Sequence, residues 1–348
     1  MAVKLERLTD VLTLPFDEII DVRAPAEWAE DHIPGAISLP VLDDAERARV
    51  GTIYKQVSPF DARKIGAALV AANAARHLQG PLADRTGGWR PLVYCWRGGQ
   101  RSGSFASILS QIGWRVETVA GGYKTWRRLV VDALYNSAFP ARVVVLDGNT
   151  GSAKTEVLNL LPARGVQVLD LEGMANHRGS LFGAMGEQPS QKAFEGRLAL
   201  AIAQLDPARP VVVEAESAKV GECRLPPKLW RAMVAAPRVA IDAPRRARAA
   251  YLVRAYADLV ADRDRLDGIV ASLRPLHPAE VIADWRRMAA EGRFADLAEG
   301  LMERHYDPRY GKHRARMEVP FVEVAAERLG AADLPALADR IAAAVAGI

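Results

Sequence analysis

Short apolar runs alternate with helically spaced stretches along the first half of the chain. Residues 19–22, 36–39, 91–94 and 115–119 each form a brief, mostly apolar run of strand length, while 101–112 and 123–134 repeat their apolar positions at helical spacing. That alternation predicts a mainly parallel sheet flanked by helices. Residues 43–85 are too many for a simple connection and read as a helical insertion. A boundary falls at 136–140, where a helical pattern ends before a strong new strand. The run 142–146, apolar after its first residue, has the unbroken character of a strand buried on both faces. Residues 166–169 and 211–213 repeat that character, 243–266 reads as one long arginine-rich helix, and the Ala-rich end of the chain is helical. The pattern predicts an α/β protein of two domains, 1–138 and 139–348, the second ending in a helical part.

Composition narrows the setting without changing that picture. The chain has 348 residues, half of them hydrophobic and a quarter charged, as in an ordinary globular protein. A formal net charge of +4 neither demands nor opposes a nucleic-acid partner. No run approaches the roughly 18–20 apolar residues that span a bilayer, so no membrane partner is expected. The first ten residues are charged and lack an apolar signal core. Cys95 and Cys223 lie in different halves, which speaks against a disulfide framework or a cysteine-rich metal site. A reducing cytoplasm is the expected location.

The first chemical candidate is the run Tyr94-Cys95-Trp96-Arg97-Gly98-Gly99-Gln100-Arg101-Ser102, which follows a strand and opens a helix. Gly98 and Gly99 permit a turn whose N–H groups point inward, and the helix N-terminus completes a cup for an anion. A thiol at the start of that cup is expected as a thiolate at neutral pH, with Arg97 or Arg101 adding positive charge. The loop and its surroundings resemble the rhodanese family: Asp21-Val22-Arg23, Glu27 and His32-Ile33-Pro34-Gly35-Ala36 match its N-terminal signature, and Gly121-Gly122 with Trp126 its C-terminal one. His32, Asp21 and Arg23 are read as structural. Common rhodanese loops place an arginine or threonine sixth, counting the cysteine as first; here Arg101 is seventh. A longer loop suits a larger anion, such as a tetrahedral phosphate-like group, and makes a cysteine phosphatase a rival, although Tyr94 stands where such phosphatases usually carry histidine.

The second candidate is Gly148-Asn149-Thr150-Gly151-Ser152-Ala153-Lys154-Thr155, between a strand and a helix. It resembles a Walker A phosphate loop, whose amides cradle phosphates, whose lysine neutralises them and whose Thr155 hydroxyl reaches a magnesium ion. Ala153 replaces the final glycine, which weighs more against nucleotide hydrolysis than against phosphate binding. The strand at 211–213 runs into Glu214 and Glu216, Walker B-like carboxylates for a metal. His177, Arg178 and Ser180 sit in a polar loop suited to an anionic substrate at the same sheet edge. No metal site is certain from the sequence; magnesium is an expectation only. Arg245, Arg246, Arg248 and Arg254 cluster on the arginine-rich helix, where they could meet nucleic-acid phosphates. Tyr306, in the aromatic turn His305-Tyr306-Asp307-Pro308-Arg309-Tyr310, could stack on a base.

Taken together, the rhodanese-like half and the phosphate-loop half resemble the bacterial tRNA 2-selenouridine synthase family. Further segments carry that likeness: Val50-Gly51-Thr52 with Tyr54-Lys55, His177-Arg178-Gly179-Ser180 with Phe182-Gly183, and His305-Tyr306-Asp307-Pro308 with Tyr310. The resemblance implies a rhodanese-like domain followed by a P-loop NTPase-like domain. It also implies a transferase that replaces the sulfur of wobble 2-thiouridine in tRNA by selenium. Selenophosphate would be the donor and geranyl diphosphate would alkylate the sulfur beforehand. On this reading Cys95 is the nucleophile or selenium carrier and Gly148 to Thr155 bind the diphosphate. The rival expectation is a rhodanese-type sulfurtransferase or cysteine phosphatase with a nucleotide-binding domain.

Overall fold

A computed structural model describes residues 2–314 and 318–348. The chain divides into two compact units, Met1–Ala138 with Pro189–Gln204, and Phe139–Gln188 with Leu205–Ile348.

The first unit is built on five parallel strands: β1 (Ala2–Val3), β2 (Glu18–Asp21), β3 (Ile37–Ser38), β4 (Pro91–Tyr94) and β5 (Glu117–Val119), in the order β1-β5-β4-β2-β3. β4 is central and buried along its whole length, as its apolar sequence requires. Its last residue, Tyr94, pairs with Asp21, so Cys95 leaves the sheet at its carboxyl edge. The strand expected at 36–39 shrinks to Ile37–Ser38, since Pro40 has no N–H to extend a ladder. Ile20, Val93, Phe105 and Leu109 form the core with Cys95 among them.

The insertion is a helical hairpin, Asp44–Gln56 and Pro59–Gln79. Asp43 caps the first helix in a reciprocal box with Glu46. Ser58 caps the second, with Pro59 at its first position, where a missing N–H costs nothing. A helix from the later sequence, Gln191–Ala203, also belongs to this unit. Its Glu195 accepts from Tyr135 Oη at 2.6 Å and pairs with Arg127. The sequence pattern puts all of 139–348 in the second domain; this helix lies outside it.

The second unit has a parallel sheet of β6 (Val143–Gly148), β7 (Gln167–Leu169), β8 (Val211–Glu214), β11 (Arg238–Asp242) and β12 (Phe321–Ala325), in the order β12-β11-β6-β8-β7. Between β8 and β11 lies a two-stranded ribbon, β9 (Lys219–Val220) and β10 (Cys223–Arg224). β11 and β12 had no clear sequence signal; they become strands by pairing in register, Val239 against both Leu146 and Val322. The helix expected over 243–266 is broken into Arg245–Ala255, Ala257–Ala261 and Arg263–Ser272. The last break is chemical: the Asp262 side chain accepts from the Arg265 N–H and starts a new helix. The turn expected at His305–Tyr310 is instead helical, a wide turn over Met302–Tyr306 leading into Asp307–Arg314. Pro308 cannot donate the usual i→i−4 bond, which accounts for the wider winding before it. The helices between Ala257 and Leu301 pack around Trp285, Val270 and Leu301. Among the described residues no helix is long and apolar enough to cross a membrane.

Candidate active site

The chemistry-bearing side chains fall at the carboxyl edges of the two sheets. In the first unit Cys95 follows β4 and is only 3% exposed. Its Sγ lies 3.1 Å from Ser102 Oγ and accepts from the Gly99 N–H at 3.3 Å, at the start of the helix Gln100–Ile112. Burial pushes the thiol up, but hydrogen bonds from the Ser102 hydroxyl and from the amides of Ser102 and Gly99, with the charge of Arg101, outweigh it. The thiol is held below its ordinary value. Gly122 makes the close approach possible: at φ +59° it lies so near the loop that a Cβ would stand 2.2 Å from the Cys95 carbonyl oxygen. Gly122 is thereby required by packing against the cysteine loop, whereas a Cβ on Gly121 (φ +72°) would stand 2.3 Å from the Thr125 hydroxyl.

The two arginines of the loop have different fates. Arg97 is exposed, as are Gly98, Gly99 and Gln100. Arg101 donates to Glu27 at 2.6 Å, and Glu27 also accepts from Arg47. Trp96 is half-buried and tilts against the Tyr123 ring at 5.2 Å. Asp21 and Arg23 form a buried ion pair at 2.6 Å, with the guanidinium 4.1 Å above Tyr123. His32 stacks on Trp28 at 3.7 Å. These three hold the scaffold under the loop.

In the second unit the phosphate loop leaves β6. Ala153 adopts the left-handed conformation (φ 61°, ψ 26°) that a glycine would take there, so the loop keeps its shape despite the methyl group, at a cost of about 1 kcal/mol. Lys154 Nζ donates to the Gly148 carbonyl at 2.9 Å. Burial opposes its charge, but Tyr310 and the carboxylates of Glu214, Glu172 and Asp147 raise it above the ordinary lysine value. Asn149 Oδ1 and Ser152 Oγ are buried without a hydrogen-bond partner among the described residues. Thr150, Gly151 and Thr155 line, with Lys154, a cleft of about 740 Å³ that also receives Arg178, Ser180 and Glu216.

Facing the loop is a carboxylate cluster in which Glu172, Glu214 and Glu216 bring oxygens within 4.8 Å of one another. Glu214 is fully buried, and among the described residues neither of its oxygens meets a donor within hydrogen-bond geometry, the Thr155 hydroxyl beside it being turned to Glu172. Burial, then repulsion from Glu172, pushes its carboxyl up to about 8, and Glu216 is raised well above the ordinary range for the same reasons. Thr155 Oγ1 donates to Glu172 at 2.7 Å. Glu172 was not singled out from the sequence. Its signal was position: it comes three residues after β7, at the edge where ligands gather. These groups fit a divalent cation: three carboxylates, one desolvated and unpaired, beside a hydroxyl.

His177 accepts from the Gly179 N–H through Nδ1 at 3.0 Å and stays outside the cleft lining. Arg178 pairs with Asp258 at 3.0 Å, and Ser180 Oγ lies 3.0 Å from Tyr256 Oη. Arg245 and Arg246 are exposed. Arg248 is not the nucleic-acid contact expected of it. It is 5% exposed, bridges to both oxygens of Asp307 at 2.9 and 2.8 Å, and donates to the Thr150 carbonyl at 3.1 Å, so it braces the phosphate loop. Tyr306 is half-buried rather than presented on a surface turn. It borders an apolar pocket of about 80 Å³ formed with Phe182, Leu259, Phe294, Leu301 and Met302.

One chain thus carries a cysteine loop of rhodanese geometry and a phosphate loop with facing acids. Comparison with known proteins makes this pairing specific. Residues 4–129 match the rhodanese-like domain and 141–269 match the tRNA 2-selenouridine synthase AAA domain. The chain is 40% identical to the tRNA 2-selenouridine synthase of Aeromonas salmonicida over 73% of its own length and 69% of the relative's. It is 33% identical to that of Pseudomonas syringae pv. tomato over 85% and 88%, and 34% identical to that of Hahella chejuensis over 84% and 72%. The chain belongs to the tRNA 2-selenouridine synthase family.

Proposed function

We propose that this protein converts wobble 2-thiouridine in tRNA to 2-selenouridine in two steps divided between its two sites. In the first, the sulfur attacks C1 of geranyl diphosphate. The C1–O bond breaks, diphosphate leaves with the electron pair, and N3 of the base loses its proton. The alkylated sulfur is now a good leaving group. In the second, the selenium of selenophosphate attacks C2 and geranylthiolate departs to be protonated. Water then cleaves the P–Se bond to give phosphate and the 2-selenouridine. Selenium stays at one oxidation level throughout, so no outside reductant is required.

The observation that carries the reading is the shared wall between the two pockets of the second unit. The apolar pocket and the phosphate-loop cleft have Thr150, Ser180, Leu252, Tyr256 and Tyr306 in common. A ligand with an anionic head on Lys154 and a greasy tail matches that pairing, whereas a nucleotide base does not call for so apolar a neighbour. Glu172, Glu214, Glu216 and Thr155 would hold a magnesium ion, which when bound would offset the charge of a diphosphate. Within the chain itself, Lys154 and the loop amides bind and orient that head group. The Cys95 cup suits a tetrahedral anion such as selenophosphate, and its thiolate character supports a role for Cys95 in the selenium step.

The test is mass spectrometry of tRNA nucleosides after incubation with geranyl diphosphate and selenophosphate. Cys95→Ala is expected to lose selenium incorporation while 2-geranylthiouridine still accumulates. Lys154→Ala is expected to lose geranylation. Loss of both activities on replacing Cys95 would sink the division of labour.

A further inference from the structure

We propose that the tip of the helical hairpin, residues 49–64, is a docking surface for unstacked bases of the RNA substrate; this rests on the reading of the protein as a tRNA-modifying enzyme. The tip carries three large apolar side chains in the open: Tyr54 is 55% exposed, Val57 73% and Phe60 66%. Exposed apolar residues scattered singly need no explanation, but these share one end of one hairpin. Tyr54 and Val57 are one turn apart at the end of the first helix, and Phe60 lies in the first turn of the second. Residues 49–64 also carry four cations, Arg49, Lys55, Arg63 and Lys64, and one acid, Asp61, which pairs with Lys64 at 3.2 Å. Arg49, Lys55, Arg63 and Lys64 are exposed, and Lys64 Nζ stands 5.9 Å above the Phe60 ring.

The base of the hairpin, by contrast, is firmly held. Asn73 donates to the Val41 carbonyl at 3.0 Å and to Glu46 at 2.9 Å. Arg47 donates to Glu27, the same carboxylate that holds Arg101 of the cysteine loop. The hairpin is thus an arm tied at its base to the carboxylate that holds the cysteine loop; its buried residues are on the second helix, at Ala62, Val70, Asn73 and Ala74, and its apolar tip is open. Aromatic rings ringed by cations are the chemistry that receives splayed RNA bases, the rings by stacking and the cations through phosphates. A protein partner fits less well. Lysine is depleted from such interfaces, and a second copy would set like charges against like.

Binding of a fluorescent anticodon stem–loop RNA by the full chain tests this, with Tyr54→Ala/Phe60→Ala and Lys55→Ala/Arg63→Ala/Lys64→Ala variants checked for unchanged melting. The aromatic variant is expected to bind about 10-fold or more weakly with its salt dependence kept. The cationic variant is expected to weaken binding and flatten the salt dependence. Wild-type affinity in both variants would overturn the proposal. So would a loss of self-association in sedimentation with RNA affinity unchanged, since the patch would then join copies of the chain. If the wild-type protein binds neither the stem–loop nor intact tRNA, the tRNA reading itself falls and takes this inference with it.

Discussion

Glu214 shows how much a single residue's setting matters. A carboxylate at the end of a strand is ordinarily solvated, but here it is fully buried, with both oxygens unpaired among the described residues. Burial and the neighbouring Glu172 hold its acid form up to about 8. Because the folded protein binds this proton more tightly than the unfolded chain, its contribution to stability is present below the ordinary glutamate range. That contribution drains away as pH rises towards about 8. A cation must displace the same proton. Stabilisation by magnesium, read as a rise in melting temperature, should therefore be small near about pH 6 and grow through about pH 8. Glu214→Gln should flatten both the metal-free decline and the magnesium response; an unchanged magnesium response would show that the ion does not use this carboxylate. Cys95 is the opposite case. It is also buried, yet Ser102, Gly99 and Arg101 favour its charged form and prevail.

At the scale of elements, the phosphate loop depends on a helix far away in sequence. Arg248 joins the Thr150 carbonyl to Asp307, and Asp307 opens the helix Asp307–Arg314. Removing one partner of a buried pair leaves the other charge stranded, at a cost of about 3 kcal/mol. Arg248→Met should lower the melting temperature by several degrees and weaken binding of inorganic diphosphate. Arg246→Ala, at an exposed position, should do neither. Equal behaviour of the two variants would mean that the brace is dispensable. The sequence shows the arginines but not which of them faces inward, because the partners that turn Arg248 inward, Thr150 and Asp307, are distant in sequence.

At the scale of the whole molecule, the chain does not divide where a single cut would be made. The helix Gln191–Ala203 belongs with Met1–Ala138 although it is encoded within the later half. It packs on the helix Tyr123–Val131, and Arg127 and Tyr135 both reach its Glu195. A fragment ending at Ala138 should melt lower and aggregate more readily than the same fragment joined through a flexible linker to residues 189–204. Identical melting of the two would show that the helix contributes nothing to the unit.

Read alone, the residues determined the local features: the α/β alternation, the two glycine-bearing loops after apolar strands, Cys95 between a strand end and a helix N-terminus, and Lys154 on a P-loop-like turn. These follow from neighbours along the chain, where side-chain period, turn chemistry and helix N-termini act over a few positions. Tertiary structure alone decided the pairing of β11 and β12, the inward turn of Arg248, the entry of Glu172 into the carboxylate cluster and the membership of Gln191–Ala203. Each depends on which distant segments meet, and burial and charge pairing exist only once they have met.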